Sequence, residues 1–250
     1  MNFAPNHILI VGAGHGIGFA LTKQSVALGA RKIFACYKNS DKAEPLLSFA
    51  KEYKHIHCLQ LDYLQEEQFK RQFDFIKGQL NGSNLDMVVN AVGFLSTSSV
   101  KPEKSLKDIT FSHLMTYFQV NSCVTPMLAK YAKSLLSHDT PSVFAALSAK
   151  VGSIDDNQLG GWYGYRASKT ALNMLIKNIA IEFKQSQLPT KVFTLHPGTT
   201  HTELSKPFMA HLQHKIWTAE ETAAHLMEVL LNTRQPSGSF INWDGNTIEW

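Results

Sequence analysis

Short apolar runs rich in β-branched residues alternate with longer amphipathic stretches along the whole chain. The runs HILIV (7–11), KIFAC (32–36), HCLQL (57–61), LDMVVN (85–90), SVFAALS (142–148), KVFTLH (191–196) and SFIN (239–242) have the length and composition of buried strands. Between them, apolar residues recur at helical spacing over about Gly16–Leu28, Lys42–Tyr53, Gln65–Leu80, Thr110–Ser137, Tyr163–Gln185 and Ala219–Leu231. Alternating strands and helices joined by connections of a dozen residues or more require parallel strands with right-handed crossovers. The expected fold is therefore α/β, a doubly wound parallel sheet of about seven strands with helices on both faces. In such a sheet a ligand binds beyond the carboxyl ends of the strands.

Nothing in the composition disturbs this picture. The 250 residues are 44% apolar and 18% charged, enough to bury a large core, and no repeat, low-complexity segment or Pro/Gly/Ser linker divides them. Residues 1–250 are read as one domain. Cys36, Cys58 and Cys123 form no CxxC pair and lie in apolar stretches, so they read as small core residues of a reducing compartment. The stretch Met1–Asn6 carries no basic region, and Ile8–Val11 is too short for a signal peptide or a membrane span. A cytoplasmic location follows as the expectation. The net charge of +4 suits an anionic ligand, but the 24 basic residues are dispersed, so neither nucleic acid nor membrane is expected as a partner.

The first candidate chemistry follows the first strand directly, where Gly12-Ala13-Gly14-His15-Gly16-Ile17-Gly18 opens a helix. Glycines at this turn let backbone N–H groups approach a pyrophosphate, and the helix N-terminus adds a partial positive charge of about half a unit. A glycine-rich turn with no ligand is the bland alternative. At the end of the second strand an acid would hold a ribose 2′-hydroxyl and favour NAD, whereas a base would pair with a 2′-phosphate. Tyr37 and Lys38 stand there, which favours NADP(H) over NAD(H), with Lys38 as phosphate partner and His15 as a second. An exposed loop lysine is the competing reading. Asp62, at the end of the third strand, is placed to accept from an adenine amino group, or else to cap the following helix.

Tyr165 and Lys169 lie four apart near a helix start, hence on one face. A phenol is a poor acid or base at neutral pH, and lowering its pKa by ~3 units needs about 4 kcal/mol of differential stabilisation. A neighbouring ammonium together with an oxidised nicotinamide ring would provide it. A core tyrosine beside a surface lysine is the alternative.

The glycine loop, Asn90-Ala91-Val92-Gly93, Asn121, Tyr165 with Lys169, and His196-Pro197-Gly198 occur in the order found in short-chain dehydrogenases/reductases, which the chain resembles over essentially its whole length. The stretches GSIDDNQLGGWYGYRASKTALNML, HPGTTHTELSKPF and WDGNTIEW further resemble the C-factor and sniffer-like carbonyl reductase group. The resemblance implies a Rossmann-type fold and an NADP(H)-dependent oxidoreductase interconverting a small-molecule carbonyl and an alcohol. Tyr165 would be the general acid in reduction, Lys169 would hold the nicotinamide ribose and lower the Tyr165 pKa, and Asn121 would anchor a water in a proton relay. Gly12, Gly16, Ile17 and Gly18 would form the phosphate loop, Asn90 would line the adenine ribose side, and Thr199 and Thr202 would contact the carboxamide. The helices at 110–137 and 163–185 resemble those that pair in family homodimers. No metal is implied.

One position departs from the family pattern. A serine that polarises the substrate carbonyl is replaced by Ala149 in Ser148-Ala149-Lys150-Val151-Gly152. Ser148 is the expected replacement, through a strand end or bulge, with Ser153 as the second candidate and a local backbone bond as the ordinary role for either. The departure keeps open an alternative, a cofactor-binding signalling protein with weak or no catalysis. No charge clamp is recognisable in the loops at 94–105 and 205–214, so the substrate is left open.

Overall fold

The computed structural model describes residues 4–136, 139–209 and 215–250. Ser137, the expected end of one helix, and positions 210–214 of the second pocket loop lie outside the described residues. The seven strands β1 His7–Val11, β2 Lys32–Tyr37, β3 Ile56–Gln60, β4 Met87–Asn90, β5 Ser142–Leu147, β6 Thr190–His196 and β7 Ser239–Asn242 form one parallel sheet in the order β3-β2-β1-β4-β5-β6-β7. The chain reverses its direction of winding between β1 and β4. That switch point opens a crevice at the carboxyl ends of these two strands.

Helices cover both faces. α1 Gly16–Ala27, α2 Glu44–Ala50 and α7 Ala219–Asn232 pack on one, against Ile8, Ile10, Ile33, Val89 and Phe193. α3 Glu66–Leu80, α5 Val124–Ala132 and α6 Tyr163–Gln185 pack on the other, against Leu9, Phe34, Val88, Phe144 and Val192. Successive residues of β1 thus bury opposite faces, and the run is continuously apolar because neither face meets water. Among the described residues no helix is long and apolar enough to cross a membrane.

Local chemistry sets the boundaries where pattern alone misleads. α2 begins at Glu44 rather than Lys42 because Pro45 fits only in a first turn, and it ends at Ala50. β4 begins at Met87 rather than Leu85; Asp86 still bonds through its backbone to the His7 carbonyl and the Val143 amide at 2.9 and 2.8 Å, and its carboxylate accepts from the Asn6 and His7 amides at 2.8 and 2.9 Å. The expected single helix at 110–137 is divided: α4 Phe111–Phe118 passes through a π-helical segment, Gln119–Cys123, into α5, and a 3₁₀ turn follows at Lys133–Leu135. Of the three cysteines only Cys36 is a core residue; Cys58 is half-buried and Cys123 exposed, and all are free thiols. Burial pushes the Cys36 thiol up to about 12.

Candidate functional site

The turn after β1 is held by backbone bonds from the Gly12 and Ala13 amides to the Cys36 carbonyl, at 3.0 and 2.8 Å. Gly12 has φ +86°, and a Cβ there would stand 2.9 Å from the Val92 nitrogen; one on Gly18 would overlap the Gly12 carbonyl oxygen. Only glycines let this turn, the start of α1 and the end of β4 close on one another. His15 precedes α1 without capping it through its side chain, and the first turn carries no acid. The helix therefore presents its N-terminal N–H groups and positive dipole end at the crevice, a donor set that fits a diphosphate. Ile17 is half-buried against the β1 face of the core.

Partial desolvation holds the His15 imidazole below its ordinary pKa, and Lys42 adds to the effect. At the ends of β2 and β3 the two expected ligand-contacting residues meet each other. Lys38 Nζ lies 2.9 Å from Asp62 Oδ1 and 5.1 Å from the centre of the Tyr63 ring. Burial works to raise the Asp62 carboxyl, but the bonds from Lys38 and the Leu64 amide outweigh it and hold the group below the usual carboxylate range. Asp62 does not cap α3, whose N-cap is Gln65; its local bond is to the Leu64 amide, at 3.2 Å.

Asn90, 2% exposed, spends its side chain inside the protein, accepting from the Val92 amide at 3.0 Å and donating to Thr125 Oγ1 at 2.8 Å. It shapes the turn out of β4. The loop after β6 bridges the glycine turn to the reacting centre: Thr202 lies 3.5 Å from where a Gly16 Cβ would stand, and Leu204 lies 3.6 Å from the corresponding point on Gly93, which is 3.8 Å from Lys169 Nζ. Thr202 also pairs with Ser205 at 3.2 Å, and the Thr199 carbonyl accepts from the Trp217 amide at 2.9 Å.

Tyr165 and Lys169 stand on the first turns of α6, both buried. Lys169 Nζ donates to the Leu147 carbonyl at 2.9 Å and lies 5.9 Å from the Tyr165 ring centre. Burial lowers the Lys169 pKa to about 8 and pushes the Tyr165 phenol well above its ordinary value. Burial alone sets the direction of the Tyr165 shift in the protein without its cofactor. The helix is fixed from two sides. Asn121, within the π-helical segment, accepts from the Phe94 amide at 2.7 Å and donates to the Phe94 carbonyl at 2.9 Å and to Ser168 Oγ at 3.0 Å. The Gly152 carbonyl accepts from Thr170 and Asn173, and a Cβ on Gly152 would come within 2.8 Å of Lys169 Cβ. Asn121 thus ties the helix irregularity to the Phe94 backbone and to α6.

The bulge that would bring Ser148 into the place of the missing serine is absent. β5 and β6 pair in register up to Leu147 with Leu195, and the Ser148 amide continues the ladder to the Leu195 carbonyl at 2.7 Å, so no bulge turns the strand. Ala149, extended, packs in the cluster of Leu95, Tyr117 and Tyr165, which sends Ser148 to the opposite side. Its Oγ is buried without a partner. Ser153 Oγ accepts from the Asp156 amide at 3.1 Å, the local backbone bond usual for a loop serine.

The wall around Tyr165 holds residues that sequence patterning passed over: Trp162, whose ring meets Tyr165 edge-on at 6.0 Å, Phe208, and Tyr117, which donates to the Leu95 carbonyl at 2.8 Å. Glu103, 1% exposed, lies against the same helix start.

A family model described as short chain dehydrogenase matches residues 6–213. An uncharacterized oxidoreductase of Saccharomyces cerevisiae is 28% identical over 251 residues, covering 95% of this chain and 94% of its own. Among solved structures, carbonyl reductase Sniffer of Drosophila melanogaster superposes with a TM-score of 0.87 at 24% identity, over 98% of this chain and 99% of that one. The NADPH-bound carbonyl reductase from chicken fatty liver gives 0.86 at 23% identity, over 98% and 94%. At these identities the structural likeness is one of fold.

Proposed function

Because the chain belongs to the short chain dehydrogenase family, we propose that it is an oxidoreductase that reduces a small-molecule carbonyl with NADPH, Tyr165 supplying the proton. The observation that carries this reading is the burial of Tyr165 and Lys169 together on α6, with Lys169 Nζ bonded to the last residue of β5 at the carboxyl end of the sheet. A bound nicotinamide would supply the hydride. The chain's own residues do the rest. A reduction calls for an acid in its protonated form, and burial keeps the Tyr165 hydroxyl protonated at neutral pH. The proton leaves when the carbonyl oxygen gains alkoxide character and becomes a stronger base than a phenolate. Lys169 spends one of its three N–H donors on the Leu147 carbonyl, which leaves hydrogen bonds for a ribose hydroxyl, and its charge stabilises negative charge on the neighbouring phenol. Asn121 and Gly152 keep α6 from shifting.

NADPH is favoured over NADH by Tyr37 and Lys38, with no acid, at the end of β2, and the NADPH-bound chicken enzyme supports the same choice. A 2′-phosphate at this end draws on the Lys38 ammonium, now paired with Asp62. The test is the thermal midpoint with either cofactor at equal concentration, followed by cofactor oxidation over a panel of aldehydes, ketones and quinones. NADPH should raise the midpoint more than NADH, and Lys38→Ala should narrow the difference. Equal shifts would remove the cofactor assignment. A second reading, cofactor binding with weak catalysis, is favoured by Ala149, which packs against the cluster of Leu95, Tyr117 and Tyr165 and carries no hydroxyl. It gains if NADPH binds and no panel carbonyl is turned over.

A further inference from the structure

Glu103 lies in the loop between β4 and α4, and none of the roles above uses it. Its carboxylate is out of water, which is costly unless hydrogen bonds replace the lost hydration. Among the described residues no Lys, Arg or His forms an ion pair with it. Its contacts converge on one place. Oε2 accepts from the Gly164 amide at 3.1 Å, and the Glu103 carbonyl accepts from the Trp162 amide at 2.5 Å. Oε1 is buried without a partner.

The receiving helix lacks a cap of its own. Trp162, the residue before α6, has a left-handed backbone with φ 50° and no side-chain cap bond, and no acid stands in the first turn. The preceding Gly160 and Gly161 are left-handed as well. A helix start of this kind leaves N–H groups and a positive dipole end unmatched, and a carboxylate from 61 residues away meets both needs. Gly164 makes room for it: a Cβ there would stand 2.9 Å from Glu103 Oε1 and overlap the Tyr117 ring. Tyr117 in turn ties the same loop through Leu95 and touches Tyr165, their ring centres 6.3 Å apart.

We propose that Glu103 is a positioning residue, a cap delivered to α6 by the loop that walls the site, which sets Trp162 and Tyr165 against Leu95 and Val100. The inference rests on Tyr165 as the proton donor of the proposed reduction. The experiment compares full-length wild type with Glu103→Ala and Glu103→Gln. Three quantities are read: amide hydrogen exchange over 160–169, kcat and KM for carbonyl reduction, and the NADPH-induced thermal shift. Glu103→Ala should speed exchange in 162–166 roughly five- to thirtyfold, the loss expected of a missing cap. It should lower kcat about ten- to a hundredfold with a smaller change in KM, because the reacting geometry is displaced. The thermal shift should persist, since the glycine turn is untouched. Glu103→Gln keeps an acceptor for the Gly164 amide and should recover most of both losses. Unchanged exchange in Glu103→Ala, or unchanged kcat per folded molecule with only a lower midpoint, would overturn the proposal. Should Glu103→Ala not fold, Glu103→Asp, one methylene short of Gly164, replaces it with the same expected direction and the same overturning results. If wild type reduces no carbonyl, the reading of Tyr165 fails, and the exchange measurement still decides the cap.

Discussion

Replacing Lys169 by Met removes a buried ammonium while keeping a side chain of nearly the same reach. Burial lowers the Lys169 pKa from 10.5 to about 8, so the folded state carries the cost of holding the charge wherever the lysine is protonated in both states. That difference corresponds to about 3 kcal/mol near pH 7. Between the folded and the unfolded pKa the unfolded chain binds more protons, so stability contributed by this group rises with pH and the cost fades. By about pH 10 most of it is gone. The substitution also strands the Leu147 carbonyl, which costs about 1 kcal/mol at either pH. Lys169→Met should therefore be more stable than wild type by about 2 kcal/mol near pH 7, and the advantage should vanish by about pH 10. Cys36 and Tyr165, whose raised pKa values make both proteins lose stability at high pH, cancel in the comparison. Urea unfolding of the two proteins at both pH values measures it. A stability gap that does not change with pH would refute the reasoning, because the cost would then not come from a buried charge.

Two further substitutions probe the glycine turn and the missing serine. Gly18→Ala drives a methyl group into the Gly12 carbonyl and should cost roughly 1–3 kcal/mol of stability, read by urea unfolding, while shrinking the NADPH-induced thermal shift. Ala149→Ser places a hydroxyl in the cluster around Tyr165 and should raise kcat on the best panel carbonyl, by as much as ~100-fold, whereas Ser148→Ala should leave kcat within about twofold. Turnover that falls in Ser148→Ala would restore Ser148 to the site.

Strand positions and the helix at Tyr163–Gln185 were legible because both are written in local periodicity, and that helix spans the expected residues. The crevice was legible through the alternation of elements and the glycines after β1. What depends on partners distant in sequence was not. The π-helical turn at Gln119–Cys123 sits within an unbroken apolar pattern, and only its docking on Ser168 through Asn121 and Ser122 makes sense of it. In sequence Lys38 and Asp62 each point separately to a ligand, and their pairing depends on adjacent strand ends. Cys123 stands in apolar sequence but on the outer side of the helix. Glu103 follows a proline in a polar loop and gives no periodic signal; its meaning comes from Gly164, which no local pattern could supply.

The central claim is that hydride goes from NADPH to a carbonyl carbon while Tyr165 gives the proton. NADPH deuterated at the transferring C4 position, incubated with the best carbonyl of the panel, tests it directly by mass spectrometry of the product. The account predicts an alcohol carrying one deuterium on the former carbonyl carbon with wild type, and almost none with Tyr165→Phe, although that variant keeps its NADPH-induced thermal shift. Label transfer by Tyr165→Phe at the wild-type rate, or product formed by wild type without label, would contradict it.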